Sequence, residues 1–227
     1  MAKAKPFIKW VGGKSQLIEQ LDAQLPADFG NWENVTYIES FVGGGAMLFY
    51  MLQRYPNIQH AIINDINPDL ATCYRTVRDT PEQLIESLRD IENAYLAIET
   101  EDGRKDFFMA ARERYNEKNL DPIENSTKFF FLNRTCFNGL YRVNKKGFFN
   151  VPFGKYSNPT ICDPETIRKD SELLQRVEIL NSDFEATFEH AHGDTLFYFD
   201  PPYRPLSDTS SFNDYSKEAF NDDAQIR

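Results

Sequence analysis

The sequence predicts an α/β fold, a parallel sheet interrupted by a mostly helical insertion. Three observations carry that expectation. Residues 35–40, VTYIES, read as a buried strand; FVGGG follows as a turn, 46–54 as a helix and HAIIND (60–65) as a second strand. Strand, helix, strand, helix is how a parallel sheet opens. Residues 81–134 then hold three helical patterns and no strand, and strand character returns in VEILNSDF (177–184) and LFYFD (196–200).

Each element has a local reason. Pro68 suits the first turn of a helix, with Asn67 as its cap. Pro81 starts a helix expected to reach about residue 98. A second helix is expected over 102–116. Pro122 starts a third, with FFFLNR near its end. Next comes a stretch rich in Gly, Asn and aromatics, residues 137–159, in which Lys145, Lys146 and Gly147 form the expected tip of a hairpin between two short strands. A further helix is expected from Pro164.

The chain has 227 residues, 41% hydrophobic and 14% aromatic, enough to bury a core of one large domain or of a domain with an insertion. No apolar run approaches the roughly 20 residues of a membrane span, and MAKAKPFIKW has no apolar core behind its lysines, so it is not read as a signal peptide. Cys73, Cys136 and Cys162 are odd in number and far apart; they are read as buried thiols in a reducing cytoplasm, with no metal-ligand spacing.

A net charge of −10 argues against a nucleic-acid partner, but its distribution argues for one. Residues 125–162 contain no acid and carry Lys128, Arg134, Arg142, Lys145, Lys146 and Lys155; the first eighteen residues are also acid-free. A solvated basic face accounts for the charge as well as a binding surface does.

Three motifs point to chemistry. WVGGKS (10–15) ends like a phosphate loop, but the glycine that loop requires falls on Ile8, so a P-loop nucleotide hydrolase is set aside. ESFVGGGA (39–46) runs from strand through glycines to helix, a place where backbone passes close to a ligand, and Asp65 ends the next strand where an acid holds ribose hydroxyls. A tight turn with a surface aspartate would look the same, and the pattern does not separate a dinucleotide from S-adenosylmethionine. The third motif is DPPY (200–203). A planar exocyclic amine, such as adenine N6, is a poor nucleophile because its lone pair is delocalised into the ring. Asp200 and the Pro201 carbonyl can accept its hydrogens and draw the nitrogen toward a tetrahedral form. Pro202 stiffens the backbone so that the acceptors are preorganised, and Tyr203 offers a stacking face.

With these motifs the chain resembles the DNA adenine methylase (Dam) family, in its α-group order. PFIKWVGGKS resembles the N-terminal cofactor motif, ESFVGGGA the glycine motif, NDIN (64–67) the ribose-binding acid, FNGLYRVN and FNVPFGKY the recognition insertion, and DPPYRPLS the catalytic motif. The resemblance implies a Rossmann-like S-adenosylmethionine-dependent methyltransferase sheet. A catalytic cofactor-binding α/β domain would span 1–75 and 163–227, truncated at its C-terminus. A DNA target-recognition domain, mostly helical with a β-hairpin, would span 76–162. It implies methyl transfer from S-adenosylmethionine to adenine N6 in double-stranded DNA at GATC, by base flipping and direct attack. The protein is expected to be monomeric, cytoplasmic and free of metal.

The resemblance also implies roles. Trp10, Lys14, Glu39, Phe41, Gly43, Gly45, Asp65, Asp183, Phe184 and Asp200 would contact the cofactor; Asp200, Pro201, Pro202 and Tyr203 would hold the flipped base. Arg142 would read a guanine, with Asn138, Leu140 and Asn144 beside it, Phe137 as a wedge and Pro152 against a thymine methyl. Arg134, Lys145, Lys146 and Lys155 complete the DNA surface. Two departures stand out: Ser40 replaces a common Pro, and Lys155 stands where some relatives carry Arg. The competing readings are a catalytically impaired DNA-binding fragment, an enzyme acting on cytosine N4 or on RNA, and, more distantly, a nicotinamide-dependent dehydrogenase.

Overall fold

The structure is a computed structural model that describes residues 3–202. Its centre is a parallel sheet of β1 (Val35–Glu39), β2 (Ile58–Asn64), β3 (Val177–Leu180) and β4 (Thr195–Tyr198), in the order β3-β2-β1-β4. Every residue of β1 is buried, as an inner parallel strand requires. The chain moves outward from β1 through β2 to β3, then returns to the other flank of β1. That reversal between β1 and β4 is the point at which open α/β sheets bind ligands, beyond the carboxyl ends of the strands.

Seven α-helices lie among the described residues: α1 (Ile18–Asp22), α2 (Ala46–Arg54), α3 (Pro68–Asp79), α4 (Pro81–Leu96), α5 (Glu101–Asn116), α6 (Pro122–Thr135) and α7 (Pro164–Leu174). Prolines open four of them. The Asn67 side chain caps α3 by accepting from the amides of Asp69 and Leu70 at 3.0 and 3.2 Å, and Asp121 caps α6 in the same way. Helix α6 is buried around most of its surface, with Phe129, Phe130, Phe131 and Leu132 in the core, so it acts as a central post against α3, α4 and α5.

The expected junction at 75/76 falls inside α3, and the one at 162/163 falls at the cap of α7. One hydrophobic core runs through both segments, from Phe49 and Ile63 beside the sheet to Phe131 and Phe149 in the insertion.

Three expectations about local structure are corrected. The strand expected over 177–184 stops at Leu180, because Asn64 draws the chain aside by accepting from the Ser182 amide at 3.0 Å, and a 3-10 run, Phe184–His190, follows. The strand expected over 196–200 ends at Tyr198, so Phe199 and Asp200 lie past the ladder. The hairpin has no true strands. Its ladder is reduced to the isolated antiparallel bridges Val143–Phe149 and Cys136–Phe153.

The N-terminal segment has no regular structure before α1, yet Phe7 and Ile8 are buried. Side chains hold it in place. Gln53 exchanges two hydrogen bonds with the Ala4 backbone, Asp170 accepts from the Lys5 amide, and Asn133 bonds both the N–H and the C=O of Lys9.

Candidate active site and nucleic-acid interface

The glycine loop between β1 and α2 is shaped by what packs on it. Gly43 has φ +47, and a Cβ there would lie 2.7 Å from Cδ1 of Trp10; Gly45 has φ +73, and a Cβ there would lie 2.5 Å from the Tyr74 hydroxyl. Both positions therefore need glycine twice over, for backbone handedness and for space. The loop is also tied to its neighbours. The Gly43 amide donates to Asp65 Oδ2 at 3.1 Å, and Tyr74 donates to the Gly43 carbonyl at 2.9 Å. Asp65 Oδ1 accepts from the Asn67 amide at 2.9 Å. Burial raises the Asp65 carboxyl to about 6 against these two stabilising bonds.

Ser40, the departure from the usual proline, is fully buried and shares a 2.8 Å hydrogen bond with the Thr187 hydroxyl. Phe41 and Phe184 stack with centroids 5.4 Å apart. Asp183 caps the 3-10 run through the Glu185 amide.

Beyond the ladder, the catalytic motif meets the N-terminal motif. Glu39 pairs in register with Tyr198 across β1 and β4, which brings Asp200 alongside. Glu39 is only 3% exposed and accepts from the Tyr37 hydroxyl at 2.8 Å. Burial, and then the charge of Asp200, push its carboxyl up to about 8, so it holds a proton at neutral pH. Lys14 places its ammonium 2.8 and 2.7 Å from the two Asp200 oxygens and 2.9 Å from the Gly12 carbonyl. Pro201 and Pro202 are half-buried; Tyr203 lies outside the described residues.

The residues expected to meet DNA fall into two groups. Phe137, Asn138, Arg142, Asn144, Lys145, Lys146 and Pro152 are exposed on the hairpin or at its base. Phe137 is 51% exposed, so its ring is not used in the core. Asn144 builds the tip, its Oδ1 accepting from the amides of Lys146 and Phe148. The Arg142 guanidinium rests on Asn150, 2.8 Å from Oδ1 and 3.3 Å from the carbonyl. Leu140 is half-buried against the core. Arg134 and Lys155 stand apart from that group. The Arg134 guanidinium turns inward to the Phe7 carbonyl at 2.6 Å, and Lys155 pairs with Glu101 at 2.7 Å.

Reading the sequence alone missed several residues at the joint between the two regions. Tyr141 is buried and stacks on Trp10, and Asp69 receives the hydroxyl of Tyr115 and the ammonium of Lys118. A signal for Tyr141 existed: residues 141–144 alternate buried and exposed, Tyr and Val inward, Arg and Asn outward. Nothing in the sequence pointed to Asp69.

A parallel sheet whose reversal is flanked by a glycine loop and an Asp-Pro-Pro turn is the architecture of a nucleotide-ligand-binding α/β enzyme. The chain belongs to the D12 class N6 adenine-specific DNA methyltransferases, whose family profile matches residues 10–227. It is 47% identical over 227 residues to the Type II methyltransferase M.MjaIII of Methanocaldococcus jannaschii, covering 99% of this chain and 78% of that protein. It is 38% identical to the Type II methyltransferase M1.LlaDCHI of Lactococcus lactis subsp. cremoris, covering 98% and 74%. A DNA adenine methylase of Vibrio cholerae is 35% identical, covering 99% and 74%. Enzymes of this class use S-adenosylmethionine and act on DNA. Among the described residues, no helix is long and apolar enough to cross a membrane, and no group of His, Cys, Asp and Glu could hold a metal ion.

Proposed function

We propose that the protein methylates adenine N6 within GATC in double-stranded DNA, acting as a cytoplasmic monomer on a base swung out of the helix. The observation that carries this reading is the position of Asp200. It stands past the end of β4, beside the buried Glu39 and at the sheet reversal, with its carboxylate held by Lys14.

The residues fit the cofactor of the class. The glycine loop lies beyond the carboxyl end of β1 at the sheet reversal, with Trp10 and Tyr74 packed against it. Asp65 keeps lone pairs beyond its two amide contacts for ribose hydroxyls. The Asp200 carboxylate suits a cationic sulfonium, and a positive charge beside the neutral Glu39 would favour its ionisation. When bound, S-adenosylmethionine supplies a methyl group on that sulfonium as the electrophile. Trp10, Phe41, Gly43, Gly45, Asp183 and Phe184 form the rest of its seat.

The protein's own part is to orient the amine. Asp200 and the Pro201 carbonyl accept the two N6 hydrogens, and Tyr203 stacks on the base. The Asp200 carboxylate is engaged by Lys14, so the amine joins or replaces that contact on entry. Lys14 keeps the acceptor aimed until then. Arg142 reads guanine through O6 and N7. Phe137 fills the gap left in the base stack, Asn138, Leu140, Asn144 and Pro152 line the groove, and Lys145, Lys146 and Lys155 hold phosphates, Lys155 by exchanging Glu101 for one. Arg134 serves the DNA surface from beneath, by fixing the Phe7 backbone.

Labelled methyl incorporation tests the reading. Duplexes with GATC, duplexes with that site scrambled, RNA of the same sequence and duplexes with cytosine as the sole amine at the site are compared. Label confined to GATC adenine is the expected result. Label on cytosine or RNA moves the substrate, and duplex binding with no label reduces the protein to a binding module.

A further inference from the structure

The cofactor seat and the recognition hairpin meet at one side chain. Trp10 packs on the glycine loop so closely that its ring occupies the space a Cβ of Gly43 would take. On its other side the indole stacks on Tyr141 at 5.5 Å and 24°, and Phe129 completes the stack, 5.2 Å from Tyr141. A polar route joins the same two ends. The Gly43 amide donates to Asp65, Asp65 accepts from Asn67, and Asn67 accepts from the amide of Asp69. Asp69 Oδ2 then receives the hydroxyls of Tyr115 at 2.5 Å and Tyr141 at 3.4 Å, and the Lys118 ammonium at 2.7 Å. Tyr141 is bonded to Arg142, whose carbonyl accepts from the Asn150 amide across the hairpin.

We propose that Tyr141 is a positioning residue that couples the two sites. Cofactor seated on the glycine loop fixes the Trp10 ring, the ring fixes Tyr141, and Tyr141 sets the backbone from which Arg142 reaches a base. This inference rests on the proposed function. Its thermodynamic content is that ordering done by the first ligand need not be repeated by the second, which raises the affinity of each for the protein already holding the other. The stacked ring carries the link, and the hydroxyl contact with Asp69 fixes its tilt.

Fluorescence anisotropy tests the coupling with labelled GATC and scrambled duplexes, each with and without S-adenosylhomocysteine. For the unaltered protein the product should tighten GATC binding by a factor in the usual range of roughly 5 to 150, and scrambled DNA far less. Tyr141→Phe keeps the ring and should keep that factor. Tyr141→Leu should bring it to about one while leaving affinity for scrambled DNA within about twofold, a pattern that simple weakening of the fold would not produce. A factor that survives in Tyr141→Leu overturns the proposal, as does a factor of one in the unaltered protein. Hydrogen exchange gives a second reading that needs no variant: without DNA, S-adenosylhomocysteine should slow exchange across residues 137–150, and unchanged exchange there counts against the link. Normal GATC methylation with a factor of one sinks the coupling alone, whereas absence of duplex binding sinks the functional reading with it.

Discussion

The carboxyl end of the sheet and the hairpin of residues 137–156 are held in shape by different means. At the sheet end, position comes from strand register and burial: β1 pairs on both sides, all its residues are buried, and the loop beyond it is packed by Trp10 and Tyr74. In the hairpin, two isolated bridges and a few backbone bonds remain, and asparagine side chains supplement them. Asn144 closes the tip, Asn116 bonds both the N–H and the C=O of Phe149, and Asn150 holds Arg142. The first kind of order is shared with the whole core, so a change there is felt by the whole fold. The second is local, so a change at its exposed positions alters binding and leaves the fold standing.

Substitutions can break or sharpen that contrast. The largest effect is expected for Asp200→Ala, which removes the acceptor proposed for the reacting nitrogen. Methyl incorporation should fall at least ~100-fold while affinity for duplex DNA stays within about threefold; measurable turnover near the original rate would break the assignment. Next is Gly45→Ala. Its Cβ would meet the Tyr74 hydroxyl at a φ of +73, and strain of about 1–3 kcal/mol should lower the melting temperature. An unchanged melting curve would show that the loop yields as readily as the hairpin.

Arg142→Ala should leave melting unchanged and cost about 1–3 kcal/mol of discrimination between GATC and scrambled duplexes. A uniform loss on both would make Arg142 a phosphate contact. Glu39→Gln tests the sheet end through pH. The Glu39 carboxyl lies at about 8 in the fold, against an ordinary value of 4.5. Its contribution to stability is complete below the unfolded value and is lost as pH rises through 8. Stability should therefore decline from pH 5 to 8, and Glu39→Gln should lessen the decline by up to ~1.4 kcal/mol per pH unit. Some slope should persist, because burial pushes Asp170 to about 8 as well. Denaturant titrations at pH 5.5, 7 and 8.5 measure it; an unaltered slope would mean Glu39 is already ionised. The smallest effect is expected for Lys146→Ala, a nearly equal weakening on all duplexes, with the salt slope of binding reduced by about 0.9.

What the sequence disclosed follows the same division. Helices opened by proline, the first of them with Asn67 as its cap, could be read to within a residue or two, because the signals are local. The strands β1 and β2 were legible from their apolar runs. The ends of β3 and β4 were not. Asn64 ends β3 from a distant position, and the aromatic run LFYFD keeps strand character past the point where pairing stops. At the site, Gly43, Gly45, Asp65 and Asp200 stood out because their chemistry is unusual at those positions. Asn133 and Asp69 did not, since a bonding partner 124 or 46 residues away leaves no periodic trace; Tyr141 left only the alternation of residues 141–144. Arg134 shows the opposite case: a cation in a basic stretch looks solvent-facing, yet its guanidinium donates to a backbone carbonyl.

The clasp that Asn133 places on Lys9 has a consequence for how the chain matures. Lys9 and its neighbours leave the ribosome well before the amide that fastens them, which is made 124 positions later. Until α6 has been synthesised, Phe7 and Ile8 have no finished wall to rest against. Joining ends so distant is an encounter with a high entropic threshold, and it comes late. A nascent chain halted before residue 133 should therefore leave the segment around Phe7 and Ile8 within reach of proteases.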